Sequence, residues 1–240
     1  GRSAVIRAVN LPCIEGLPIR DRLVERTGIK TFVDCDSVAA AWAEYCARER
    51  KPKRMVYMAI GTGVGVAAIL DGQVVRHTNH SAGHLGHLVC DTSADAHVCA
   101  CGRRGCLESC VGGPALERAA GEAGLSSALG DIEIAYHEGD RSAAEFIEGK
   151  ARLLVRGLTN IVHIFAASTI VVGGGVIGAL PSLAHRAAEF MNESKTVLTP
   201  DGLRIDLGSL GHYTGVVGAA LLAAENMRAE ALPPGEQGNV

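Results

Sequence analysis

The chain has 240 residues, a formal net charge of −3 and an apolar fraction of 48%, with 30 glycines and 4% aromatics. That length holds one large domain or two small ones with real cores, and the glycine content suits an α/β protein with many tight turns. Lys and Arg are scattered rather than striped, no apolar run approaches the roughly 20 residues of a membrane span, and "GRSAVIRAVN" lacks the apolar core of a signal peptide. The expectation is a cytoplasmic chain that meets neither membrane nor nucleic acid through this segment.

The opening run Ala4 to Val9 is strand-like and has no initiating Met. It reads as the continuation of an upstream segment, or else as a cloning scar before a complete domain. Residues 17–28 have helical spacing and stop at Gly28, a C-cap residue. Ile29 to Val33 is β-branched and reads as a short strand. Residues 37–50 form an Ala-rich helix with Ser37 near its cap, and the basic turn "KPKR" after it marks a boundary. Met55 to Ile60 reads as a strand that runs into "GTGVG". Ala67–Leu70 and Gln73–Arg76 flank "DG", a strong hairpin signal. No strong periodicity is visible over 77–113.

Pro114 to Ala123 reads as a helix with Pro at its start. Residues 142–166 read as a long helix, increasingly apolar and therefore buried. Thr169 to Val172 is a strand leading into "GGGV". A helix over 182–192, a strand over Leu203–Leu207 and an Ala-rich helix over Gly215–Arg228 complete the pattern. The tail "LPPGEQGNV" has a disordered composition. Strands alternate with helices, so the fold class is α/β with a sheet covered by helices.

One stretch stands out, "HLGHLVCDTSADAHVCACGRRGCLE" over residues 84–108. His87, Cys99, Cys101 and Cys106 make a complete tetrahedral zinc set of three thiolates and one imidazole. Gly102 and Gly105 allow the tight turn, and Arg103 and Arg104 offset thiolate charge. A filled four-ligand sphere has no open position for water, so such a zinc is structural. A reduced, metal-free cluster or a local disulfide is the competing reading, although a Cys99–Cys101 bridge is strained at that spacing. Cys90, Cys110, His84 and His97 are nearby but lie outside the knuckle. Cys13, Cys35 and Cys46 sit in separated apolar contexts and read as reduced core residues.

The motifs "VDCDSVAAAWAE", "IGTGVGVAAILDG", "SAGHLGH", "CACGRRGCLE" and "VVGGGV" occur in this order. The sequence resembles the ROK family of sugar kinases and repressors over about residues 8–224. The resemblance implies an actin-like, hexokinase-like two-lobe ATPase fold, with ATP and sugar in the cleft and the first lobe incomplete in this chain. It divides the chain into a partial N-terminal lobe (1–54), a C-terminal lobe (55–214), a C-terminal helix returning to the N-terminal lobe (215–230) and a tail (231–240). It further implies that the family's first phosphate motif, D-x-G-G-T, precedes this sequence.

The resemblance also assigns roles. Asp36 becomes the base that takes the proton of the attacking sugar hydroxyl; read without it, Asp36 is a helix-capping carboxylate. Cys35 stands where the family usually has Asn and is a poor hydrogen-bond donor. Gly61, Thr62, Gly63 and Gly65 resemble the second phosphate loop, and Gly173, Gly174 and Gly175 the adenosine-side loop; either stretch alone is also a common tight turn or close-packing device. His84, in place of the family's Glu, joins His87 and Glu108 around the sugar hydroxyls, with His87 serving both zinc and sugar; Glu108 read alone is a solvated surface residue. His77 and His80 also replace residues that are often glycine. The implied function is ATP-dependent phosphorylation of a hexose or N-acetylhexosamine, with Mg²⁺ arriving with ATP, structural Zn²⁺, and a homodimer or larger homo-oligomer. The alternatives are a sugar-responsive repressor whose DNA-binding region lies elsewhere, and a catalytically degenerate sugar-binding protein.

Overall fold

A computed structural model of the chain describes residues 12–76 and 84–231. The strand-like run at 4–9, His77, His80 and the tail lie outside those residues. In chain order the elements are α1 (Ile19–Thr27), α2 (Asp36–Ala47), β1 (Arg54–Ile60), β2 (Val64–Leu70), β3 (Gln73–Val74), α3 (Leu107–Val111), α4 (Gly113–Glu122), α5 (Leu129–His137), α6 (Arg141–Phe165), β4 (Thr169–Gly173), α7 (Gly175–Ala179), α8 (Pro181–Glu193), β5 (Arg204–Leu207) and α9 (Thr214–Ala231).

The strands form one sheet of order β3-β2-β1-β4-β5, in which β1 and β2 are antiparallel and β1, β4 and β5 run parallel. Both faces of the centre are covered, which explains why "RMVYMAI" and "TIVVG" are nearly continuous apolar runs rather than alternating ones. Alternate residues serve different layers. Val56, Met58, Ile60, Ile170 and Val172 face the large core with α3, α6 and α8. Met55, Tyr57, Ala67, Ile69 and Val171 face a smaller core closed by Val38, Ala39, Ala40 and Ala41 of α2 and Leu222 of α9. The Ala-rich composition of α2 and α9 permits close approach: a Cβ on Gly218 would lie 1.8 Å from the Ala39 carbonyl oxygen. No helix among the described residues is long and apolar enough to cross a membrane.

Several terminators act as their chemistry requires. Gly28 closes α1 in the left-handed region with its N–H on the Val24 carbonyl. The Asp140 carboxylate accepts the Ala143 N–H at 2.8 Å and starts α6 one residue earlier than the apolar spacing marks. The strand expected over Ile29–Val33 does not form. The segment lies outside any strand, with Ile29 and Val33 exposed, because no strand among the described residues lies beside it to share a ladder. The second hairpin arm is also shorter than the sequence pattern, with β3 ending at Val74. Helix α5 was not anticipated; its signal is the three-residue spacing of Leu129 and Ile132, both buried.

Candidate functional site

The knuckle is built by local backbone bonds. Cys99 N–H donates to Arg103 O at 2.7 Å, Gly102 N–H to Cys99 O at 2.9 Å and Gly105 N–H to His97 O at 2.9 Å. Gly102 and Gly105 have φ of 88° and 71°, and a Cβ on Gly105 would fall 1.7 Å from the Asp91 carbonyl oxygen. Only glycine fits there, so the turn in "CGRRGC" is dictated sterically. Its result is convergence: ligand atoms of His87, Cys99, Cys101 and Cys106 all lie within 4.8 Å of one another.

The spacing fits a tetrahedral ion. Cys101 Sγ and Cys106 Sγ are 3.6 Å apart, and Cys99 Sγ is 3.4 Å from His87 Nδ1. A zinc–sulfur distance of about 2.3 Å requires sulfur–sulfur edges of about 3.8 Å, and slightly shorter sulfur–nitrogen edges. A disulfide would need sulfurs at about 2 Å. Burial pushes the Cys106 thiol up to about 12 and also raises Cys99, while the Arg103 backbone N–H lowers Cys101. Three thiolates gather here readily only around a cation, and Cys₃His is a zinc donor set. Cys90 and Cys110 are buried in the main core, Cys90 with its thiol raised to about 11 by burial, and they lie outside the converging set. His97 instead faces Glu122 at 3.8 Å.

Glu108, in the first turn of α3, is not a solvated surface side chain. Its Oε2 accepts the Val64 N–H at 3.0 Å, and its Oε1 lies 4.0 Å from His87 Nδ1. His87 presents Nδ1 to Cys99, which leaves Nε2 on the far side of the ring. The His84 ring follows at 6.1 Å between centroids. Gly86 between them is pressed against β2, where a Cβ would meet the Val64 carbonyl oxygen at 2.2 Å. Glu108 and the His87 turn therefore grip the same residue, Val64, from both its N–H and its C=O.

The two glycine loops leave neighbouring parallel strands at the same end, since Ala59 pairs with Gly173. Open α/β sheets bind ligands outside the carboxyl ends of their strands. Gly61 N–H closes on Gly63 O at 2.9 Å, and Gly113 N–H donates to Gly61 O at 2.7 Å, which ties the loop to the start of α4. Thr62 is exposed at the tip. Gly174 has φ of 99°, and a Cβ there would lie 2.4 Å from the Ile60 carbonyl oxygen. Gly174→Ala is expected to cost about 2–4 kcal/mol, from left-handed strain plus forced separation of the β1 and β4 ends. Urea denaturation measures this, and an unchanged midpoint would show that the two loops are not wedged together.

Asp36 is the first residue of α2 rather than its N-cap, which is Cys35. Its Oδ1 accepts the Ser37 N–H at 2.7 Å. Burial raises the Cys35 thiol, and the flanking Asp34 and Asp36 add to the effect. Asp34 in turn pairs with Arg76 beyond β3. Ser37 packs on the hairpin, 3.1 Å from where a Cβ on Gly65 would stand. Residues 61–65 thus touch the start of α2, Glu108, the His87 turn and α4, and Ile60, just before them, abuts Gly174 of the second glycine loop.

Sequence reading overlooked Glu44, the wholly buried acid in the middle of α2. Its signal was an isolated carboxylate on the apolar face of an Ala-rich helix.

The ROK family model matches residues 1–226. An N-acetylmannosamine kinase of Citrobacter koseri is 30% identical over 226 residues, spanning 92% of this chain and 76% of the relative. Among solved structures, a ROK hexokinase from Thermus thermophilus superposes with a TM-score of 0.80 at 29% identity, covering 95% of this chain and 75% of that one. A ROK family glucokinase from Streptomyces griseus, in complex with glucose and AMPPNP, gives a TM-score of 0.78 at 26% identity, covering 93% and 77%. A family match over residues 1–226, together with a relative 30% identical over 92% of this chain, makes this chain a member of the ROK family.

Proposed function

We propose that the chain is an ATP-dependent sugar kinase that phosphorylates a hydroxyl of a hexose or N-acetylhexosamine. The observation that supports this reading is the meeting of Ser37 (next to Asp36), Glu108 and the His87 turn at Val64–Gly65 of the first glycine loop, while Ile60, just before that loop, abuts Gly174 of the second. Phosphoryl transfer needs mainly positioning and charge stabilisation, which such a junction of backbone N–H groups and carboxylates supplies.

In this reading the sugar hydroxyl oxygen attacks the γ-phosphorus, its proton passes to the Asp36 carboxylate, and the bond from that phosphorus to the bridging oxygen breaks to release ADP. Mg²⁺ accompanies ATP and offsets phosphate charge. The backbone N–H groups of Thr62 and Gly63 face the phosphates, while those of Gly61 and Val64 are held by Gly63 O and Glu108, and Gly173–Gly175 lie against the nucleoside. His84, His87 through Nε2, and Glu108 hold sugar hydroxyls, with Cys35 beside the reacting one. Zinc, held by His87, Cys99, Cys101 and Cys106, keeps His87 and Glu108 in fixed relation and takes no part in the chemistry. The same reading makes the enzyme a cytoplasmic homodimer or larger homo-oligomer; exposed Tyr213, just before α9, and Val216 and Val217 in its first turn offer a surface for a second copy.

A screen of hexoses and N-acetylhexosamines with ATP tests the function. Phosphorylation of at least one sugar is expected, with an N-acetylhexosamine favoured over glucose, as the curated relatives suggest. No product from any sugar would sink the reading. His84→Glu is expected to shift the preference toward glucose by roughly tenfold, the scale of one lost or gained polar contact. An unchanged profile would remove His84 from specificity.

A further inference from the structure

Glu44 is the one fully buried acid among the described residues, and its carboxylate is saturated by a single segment. Oε1 accepts the N–H groups of Ser209 at 2.8 Å and Leu210 at 3.1 Å, and Oε2 accepts the Ser209 hydroxyl at 2.9 Å. A buried charge persists only where it is bonded in this way. The segment that it grips follows β5 directly. Gly208 N–H donates to Val172 O at 2.9 Å, and a Cβ on Gly208 would stand 3.6 Å from the Gly173 Cα and 3.1 Å from Glu44 Oε1. Glu44 therefore touches the strand end that abuts the adenosine-side glycines.

The same helix carries Asp36 at its other end. Eight residues of α-helix place Asp36 about 12 Å from Glu44 along the axis. Arg48, one turn beyond Glu44, forms a second tie to β5 through Asp206 at 2.8 Å. Tyr57 fills the space below: its hydroxyl lies under Gly173, and its phenol is pushed up to about 12 by burial and by the charges of Glu44 and Asp36. One rigid rod thus joins the proposed base to the nucleotide side of the sheet, and its axial position is set by a carboxylate rather than by apolar packing alone. The packing of α2 on α9 is close, with Gly218 against Ala39, and the Glu44 bonds add a directional tie to the segment after β5.

We infer that Glu44 is a positioning residue for phosphoryl transfer. By locking α2 to residues 208–210 it fixes the distance from the Asp36 carboxylate to the phosphate held between the glycine loops. The inference rests on Asp36 being the base. A helix slide of about 1 Å can cost on the order of a hundredfold in rate when the base is misplaced, without loss of binding.

The test compares Glu44→Gln, Ser209→Ala, Asp36→Asn and the Asp36→Asn/Glu44→Gln pair in the intact enzyme, with kcat, both KM values and thermal midpoints. Glu44→Gln is expected to lower kcat by roughly tenfold to a hundredfold while either KM changes by less than about threefold. The double variant is expected to be no slower than Asp36→Asn, because a base that is absent cannot be misplaced. A Glu44→Gln enzyme that folds with unchanged kcat, or that loses only thermal stability, overturns the inference. If Glu44→Gln does not fold, Ser209→Ala decides: it removes one of three bonds, and a measurable fall in kcat at constant KM is expected, whereas wild-type kcat overturns the proposal. An active Asp36→Asn enzyme would instead overthrow the assignment of the base, whatever Glu44 does.

Discussion

Asp36→Asn is expected to lower kcat by roughly a hundred- to ten-thousandfold while the protein stays folded and binds sugar with nearly unchanged affinity. The replacement is nearly isosteric. Its amide oxygen can still accept the Ser37 N–H that Asp36 Oδ1 accepts at 2.7 Å, so the start of α2 has no reason to fray. What disappears is the capacity to take a proton. The hydroxyl must then attack while still protonated, or pass its proton to water, and the barrier rises by the amount that a positioned base removes. A purely capping carboxylate would behave in the opposite way, with lower stability and normal turnover. Asp36 is the first residue of α2, after Cys35 at the N-cap, and its bond to the Ser37 N–H is compatible with either role. Steady-state kinetics with the sugar found in the screen, together with a urea midpoint, separate the two. Turnover within threefold of wild type would reject the base.

The covalent order of the chain made some of this visible and concealed the rest for definite reasons. "RMVYMAI" and "TIVVG" announce central strands because both faces are buried, so nothing polar interrupts them. "CACGRRGC" announces a turn because two glycines take positive φ and one admits no Cβ at all. Such signals are local. The Ile29–Val33 run has equally good β-branched chemistry, yet pairing depends on a neighbour that no residue within the run encodes. Glu108 shows the same limit at the site. Its place after the knuckle is plain in the sequence, but its bond to the Val64 N–H spans 44 residues and follows only from folding. Glu44 was harder still: an acid in the middle of an Ala-rich helix normally faces water, and its partners at 209 and 210 lie 165 and 166 residues away.

The metal offers the second large effect. Purified protein is expected to carry about one zinc per chain, and Cys101→Ala to lose it together with more than about 4 kcal/mol of stability. Cys101 is the informative ligand because it is exposed. Removing an exposed sulfur leaves no cavity, so a large loss of stability can be charged to the ion rather than to packing. Cys110→Ala supplies the contrast: that thiol is buried in the main core, so its loss should cost stability while leaving zinc content intact. The two variants therefore exchange their signatures, metal lost without a cavity in one and a cavity without metal loss in the other. Chelation should act on function through the same geometry. Without an ion, the 84–106 loop keeps its backbone bonds to residues 88–91 and 103–105 but loses the restraint on the His87 ring. The KM for sugar is then expected to rise more than the KM for ATP, since β1, β4 and α4 also anchor the two glycine loops, whereas the His87 ring loses its metal-ligand restraint. Folded, metal-free wild-type protein with an unchanged sugar KM would show that the four side chains converge without an ion and that Glu108 alone, through Val64, holds this side of the site.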